Sequence, residues 1–224
     1  MRTGSTESIL ASSSSSKHFY DRQAAGYDRR WAHYQRTTHD MLLAHLHGPF
    51  HHVLDVGCGT GTLLQRLLTR YPEADGLGIE ASREMLCVAR RRLAGRGVRL
   101  LLANAHRIPL PARSVDLLTL ASVLHYFSSP SMALVEARRV LQSGGTLGLV
   151  DYVLHGGANS VLDGLIRLYD PAHARCRGLQ ELSRLTTHAG FTIIHARQFP
   201  IDRIFEGVVI LARAPIPGEN EIQP

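Results

Sequence analysis

Cysteine is scarce in this chain of 224 residues, which has three. Cys58, Cys87 and Cys176 stand far apart and form no Cys-x-x-Cys pair. That excludes a disulfide framework and a compact cysteine metal cage, and it suggests a reducing compartment. Long apolar runs are missing too; none approaches the roughly 20 residues that a helical membrane span needs. No apolar leader core follows the N-terminus, so the expected location is cytoplasmic. Histidines number 13, yet no H-E-x-x-H pattern accompanies them and none pairs with a cysteine. The bunch His45, His47, His51 and His52 therefore reads as surface histidines, and no metal is expected. A Ser-His-Asp constellation is not evident either.

What is present begins with charge. The formal net charge is +6, almost all of it from arginine. Arg83, Arg90, Arg91, Arg92, Arg96 and Arg99 cluster around one predicted helix. They suit either an acidic partner such as nucleic acid or a solvated helix face. No aromatics interleave with them as a single-strand platform would require, which favours the solvated face. Residues 1–17 are rich in Ser and Thr and read as a disordered tail. Residues 215–224 read as a second tail. The length between suits one domain, 18–214, with its own core.

The most informative block is His52-Val53-Leu54-Asp55-Val56-Gly57-Cys58-Gly59-Thr60-Gly61-Thr62-Leu63-Leu64. An apolar run ends near an acid, passes through three alternating glycines and opens an apolar helix. This is the strand–loop–helix geometry in which an α/β sheet holds a nucleotide-like ligand. Gly57 lets the chain turn off the strand, Gly59 leaves the backbone open to a ligand, and Gly61 is expected to let the helix pack close to the sheet. A dinucleotide fingerprint would place its third glycine where Thr62 stands, and a phosphate-gripping loop would end in Gly-Lys. A second strand, Ala74 to Glu80, ends in a carboxylate at the interval used to bind ribose hydroxyls. Ser82 is suited to cap the next helix.

Asp55-Val56-Gly57-Cys58-Gly59-Thr60-Gly61 and Gly78-Ile79-Glu80-Ala81-Ser82 resemble the class I S-adenosylmethionine-dependent methyltransferases. Ala103-Asn104-Ala105-His106 resembles that family's adenine-contacting loop, and Arg138 to Gly145 the turn before its fifth strand. The resemblance runs from about Tyr20 to about Ala189 and is nearest to small-molecule enzymes of the quinone-biosynthesis group. It implies S-adenosylmethionine as cofactor, bound by Asp55, Gly57, Cys58, Gly59, Gly61, Glu80, Ala81, Asn104 and Ala105. Asn104 stands where the family usually has aspartate, so it carries no charge and its amide orientation is open. The N-terminal segment 18–47 resembles a lid, with Tyr20 and Tyr27 against cofactor or substrate.

Methyl transfer from a sulfonium asks mainly for alignment, so a general base is needed only if the acceptor must lose a proton. His125, just past the fourth strand, is the candidate base, with substrate orientation or packing as the other readings. Tyr126 is expected at the acceptor pocket. His173 and Arg175 suit a polar or anionic acceptor group, or else form a surface turn. Two other functions stay open: an NAD(P)-dependent oxidoreductase, which Thr62 argues against, and a non-catalytic or RNA-binding relative of the fold.

Alternating strand and helix signals predict a doubly wound α/β sheet. Strands are expected at 52–56, 75–80, 98–103, 115–121, 146–152, 192–199 and 207–213. Helices are expected at 21–46, 61–70, 82–95, 130–141, 159–169 and 178–189. The resemblance implies strand order 3-2-1-4-5-7-6 with the last strand antiparallel. The sequence names neither the acceptor nor the oligomeric state.

Overall fold

Why β1 lies at the centre of the molecule is plain from its residues. Val53, Leu54 and Val56 are all buried, so this strand (His52–Val56) must be covered on both faces. The computed structural model describes residues 21–24, 26–127, 129–154 and 173–218. Tyr20, the helix expected at 159–169 and residues 1–17 lie outside these.

The elements that follow alternate: α1 (Tyr27–His45) before β1, then α2 (Thr62–Arg70), β2 (Asp75–Glu80), α3 (Arg83–Arg92) and β3 (Arg99–Leu102). After β4 (Val115–Ala121) and a single 3-10 turn (Leu124–Tyr126) come α4 (Pro130–Val140), β5 (Leu141–Leu154), α5 (Leu179–His188), β6 (Thr192–Pro200) and β7 (Phe205–Arg213). The seven strands form one sheet in the order β3-β2-β1-β4-β5-β7-β6. Strands β1 to β5 pair in parallel, and β7 runs antiparallel to both β5 and β6. The order reverses between β1 and β4, which opens a crevice at the carboxyl ends of these strands.

Two apolar clusters cover the sheet. One joins Leu54, Leu118, Leu147 and Val208 to α4 through Leu134 and Ala137. The other joins Val53, Leu117 and Val209 to α1 and α2 through Leu42, Leu46, Leu64 and Leu67. Adjacent Leu117 and Leu118 fall in different clusters, as the two-residue period of a strand demands.

Three expectations are corrected. The helix expected over 21–46 is broken before Tyr27: Gly26 sits at φ −116°, ψ 1°, and α1 starts after it. Glycine costs a helix interior about 1 kcal/mol, which makes it a natural place to break. Strand β5 is longer than expected, because Leu141 already pairs with Val115. The pairing then skips to Leu117 opposite Thr146, so Gly144 and Gly145 form an irregularity within the strand rather than a turn before it. Gly144, at φ +74°, donates its N–H to the Ala214 carbonyl. Gly61 packs against α3 instead of the sheet: a Cβ there would meet Leu93 at 3.0 Å and Ala89 at 3.2 Å.

Candidate functional site

The glycine loop leaves β1 with both the Gly57 and Cys58 N–H groups donating to the Ile79 carbonyl, at 2.8 and 3.0 Å. This ties the loop to β2. Gly57 has φ +73°, and a Cβ on it would strike Val123 at 2.4 Å. Only glycine fits there. Gly59, at φ +52°, has nothing within 4 Å of a would-be Cβ. Its backbone faces a cavity of about 160 Å³ at the carboxyl edge of β1, β2 and β4.

Glu80 is the best-braced side chain on this cavity. Its carboxylate accepts from the N–H of Gly59 (3.0 Å), Ala81 (2.7 Å) and Ser82 (2.9 Å). Burial pushes its pKa up while these three donors pull it down, with burial the stronger. Asp55 is 2 % exposed and lines the same cavity. The Thr119 hydroxyl donates to it at 2.6 Å. Burial lifts its carboxyl to about 7 against the pull of Thr119.

Asn104 and Ala105 also line the cavity. The Asn104 Oδ1 accepts from the His106 N–H at 2.9 Å, which fixes the amide and turns its NH2 into the available donor. His106 meets Phe127 at a tilt of 56°, centroids 4.8 Å apart, and burial lowers its pKa. Cys58, Ala81, Tyr27 and Tyr126 are on the wall as well.

Four expected residues do not line the cavity: Gly61, which packs against Ala89 and Leu93, and His125, His173 and Arg175. His125 is 2 % exposed, with its ring against Tyr126 (3.8 Å) and Tyr152 (4.4 Å). Its Nδ1 lies 2.6 Å from Asp151, which also accepts its backbone N–H at 3.1 Å. Nε2 is left without a hydrogen-bond partner. The His125 carbonyl accepts from the N–H of Ala174 and Arg175, so this residue ties β5 to the 173–178 segment. His173 is buried beside Tyr152, whose hydroxyl lies 3.2 Å from its Nδ1. Arg175 is exposed and paired with Glu181 at 2.6 Å, which leaves it no part in holding an anion at the cavity.

Several wall residues escaped the sequence reading. Helix α1 contributes Tyr34, Gln35 and His39. Tyr34 and Ser122 hydroxyls lie 2.6 Å apart, and Ser122 holds a φ of +57° that side chains other than glycine rarely adopt. His39 is buried with Nδ1 unpartnered, and burial, helped by Arg66, drops its pKa to about 3. Behind the wall Asp28 accepts from Thr60 (2.6 Å), Thr62 (3.3 Å) and the Arg92 guanidinium. Arg92 also donates to Thr62 at 2.8 Å. Asp21 accepts from the Ser82 hydroxyl at 2.5 Å, while the Ser82 oxygen caps α3 through the Met85 N–H at 3.2 Å. The start of α1 is thus clasped to the glycine loop and to α3. A signal for Arg92 was available: it falls three residues after buried Ala89 and seven after Met85, on the inward stripe of α3.

Residues 54–149 match the family described as "Methyltransferase domain". The matched segment runs from β1 into β5, the part of the sheet whose carboxyl edge holds the cavity. The chain is 34% identical over 155 residues to malonyl-[acyl-carrier protein] O-methyltransferase of Laribacter hongkongensis, covering 63% of this chain and 52% of that one. It is 35% identical over 129 residues to demethylmenaquinone methyltransferase of Thermus thermophilus, covering 57% and 56%. The chain spans about half the length of the curated relatives it matches. Among solved structures, the YcgJ protein of Bacillus subtilis superposes with a TM-score of 0.66 at 22% identity, over 81% of this chain and 99% of that one. Haemonchus contortus phosphoethanolamine N-methyltransferase 2, solved with S-adenosyl-L-methionine, gives 0.67 at 14% identity, over 79% and 52%. At these identities the likeness is one of fold. Among the described residues no group of three His, Cys, Asp or Glu is placed to hold a metal ion, and no helix is long and apolar enough to cross a membrane.

Proposed function

We propose that this protein transfers a methyl group from S-adenosylmethionine to a small-molecule acceptor in the cytoplasm. The observation that carries the reading is Glu80, held by three backbone N–H groups on the rim of a cavity that the open Gly59 backbone also faces. Three of the carboxylate's roughly four acceptor sites are taken, which leaves one, on the oxygen that meets Gly59, for a ribose hydroxyl and keeps the group from swinging away. Asp55 suits an ammonium group, and the fixed NH2 of Asn104 suits a ring nitrogen. The donor set therefore fits the three parts of the cofactor: amino acid, ribose and base.

When bound, S-adenosylmethionine supplies a methyl group already activated on a sulfonium. The chain's own contribution is to bind, align and exclude water. Tyr27, Tyr34 and His39 of α1 close one side of the cavity, so α1 acts as a lid over it. His125 serves as a positioning residue. Its imidazole is fixed on Asp151 behind Tyr126, so proton removal at the cavity would require Tyr126 to move. Nothing in the loop favours a nicotinamide dinucleotide: Thr62, at the third-glycine position, is spent on the Asp28 and Arg92 clasp.

Incubation with methyl-labelled S-adenosylmethionine and a small-molecule extract should move label into an organic or aqueous low-mass product. Intact cofactor binding with label in no small molecule would contradict the transferase reading.

A further inference from the structure

The sign of charge on the cavity wall is opposite to that of the chain. The protein carries a net +6, yet Asp55 and Glu80 are the charged residues among the described residues that line the cavity. Neighbouring arginines are committed elsewhere. Arg92 holds Asp28, Arg139 holds Glu136 and the carbonyls of Ile108 and Leu110, and Arg177 holds the carbonyls of Leu124 and Phe127. Arg175, read from the sequence as suiting a polar or anionic acceptor group or a surface turn, is on the surface with Glu181.

The two histidines on the wall do not restore positive charge. His39 and His106 both have their pKa lowered by burial and are neutral at pH 7. The rest of the wall near α1 and the 3-10 turn is uncharged and ring-rich: Tyr34, Gln35, Tyr126 and Phe127. A cofactor with one net positive charge leaves the site negative by about one unit when both carboxylates are ionised. An anion entering a water-poor cavity would meet that charge without a guanidinium to pair with.

We propose that the acceptor carries a planar ring and no negative charge, with an amine favoured over a neutral hydroxyl compound, and that Gln35 and His39 are its uncharged hydrogen-bonding partners. This rests on the methyltransferase reading of the same cavity. It also separates this chain from acceptors held through a carboxylate or phosphate.

The test uses full-length protein saturated with S-adenosylhomocysteine and three ligands on one ring scaffold: tyramine, 4-ethylphenol and 4-hydroxyphenylacetate. Tyramine should bind tightest and 4-hydroxyphenylacetate at least about tenfold more weakly, by titration at low salt. Gln35→Lys, which adds a cation at a half-buried wall position, should narrow that gap. Carboxylate binding as tight as the amine, binding by none of the three, or a gap unmoved by Gln35→Lys would overturn the proposal while the cofactor site stands. Failure of S-adenosylhomocysteine itself to bind would overturn the methyltransferase reading along with it.

Discussion

Asp55 has one side-chain hydrogen bond, from Thr119, to offset its burial, and its carboxyl is lifted from 3.8 to about 7. A raised carboxyl contributes stability that is fully present below the ordinary value and is lost as pH rises through the folded value. The ligand-free protein should therefore lose on the order of 4 kcal/mol between pH 4 and pH 7, to which Glu80 adds in the same direction. Urea unfolding midpoints across that range check it; a midpoint that rises steadily with pH would contradict it. A cationic ligand reverses the balance by favouring the ionised carboxylate. Cofactor affinity should then rise with pH up to about 7, with proton release on binding at pH 6. Equal heats in buffers of different ionisation enthalpy would rule this out. Glu80→Gln keeps the size of the side chain but loses its charge. Cofactor binding should weaken by about 1–3 kcal/mol, because charge-assisted hydrogen bonds are lost on both sides of the group. At this scale the sequence was informative where a residue type has one use: three alternating glycines and an acid about twenty residues on. It was uninformative for His39, Gln35 and Asp28, because a polar residue on a helix looks the same whether it faces water or a cavity.

Helix α1 shows the same difficulty one level up. Its apolar residues mark which face packs on the sheet through Leu42 and Leu46, but nothing local marks its first turns as the cover of a cavity. That comes from Asp28 meeting Arg92 across 64 positions. The pair is partly exposed, so its worth is in placing α1 more than in global stability. Asp28→Ala should leave the unfolding midpoint nearly unchanged and raise the dissociation rate of S-adenosylhomocysteine several-fold, read by stopped-flow fluorescence of Trp31. An unchanged rate would show that the clasp does not govern the lid. Gly57→Ala behaves in the opposite way. The clash with Val123 and the positive φ should cost about 3 kcal/mol of stability, measured by urea unfolding. The sequence placed β1, β2 and β4 at the residues observed, because each groups Val, Leu or Ile between charged and turn-forming residues. It missed the early start of β5, since a glycine pair inside a strand carries the same signal as a turn.

The whole molecule joins a net positive charge of +6 to a cavity whose charged groups, among the described residues, are two carboxylates. The strand order was legible only through resemblance, because no local pattern says which strand sits beside which, whereas the short connection near Asp202 to Gly207 already called for an antiparallel last pair. The central claim is that this cavity is a site for S-adenosylmethionine. Isothermal titration of S-adenosylmethionine, S-adenosylhomocysteine and NADH into the full-length protein at pH 7.5 tests it most directly. The account predicts micromolar binding of both sulfur compounds and no heat from NADH. NADH binding with no heat from either sulfur compound would contradict it.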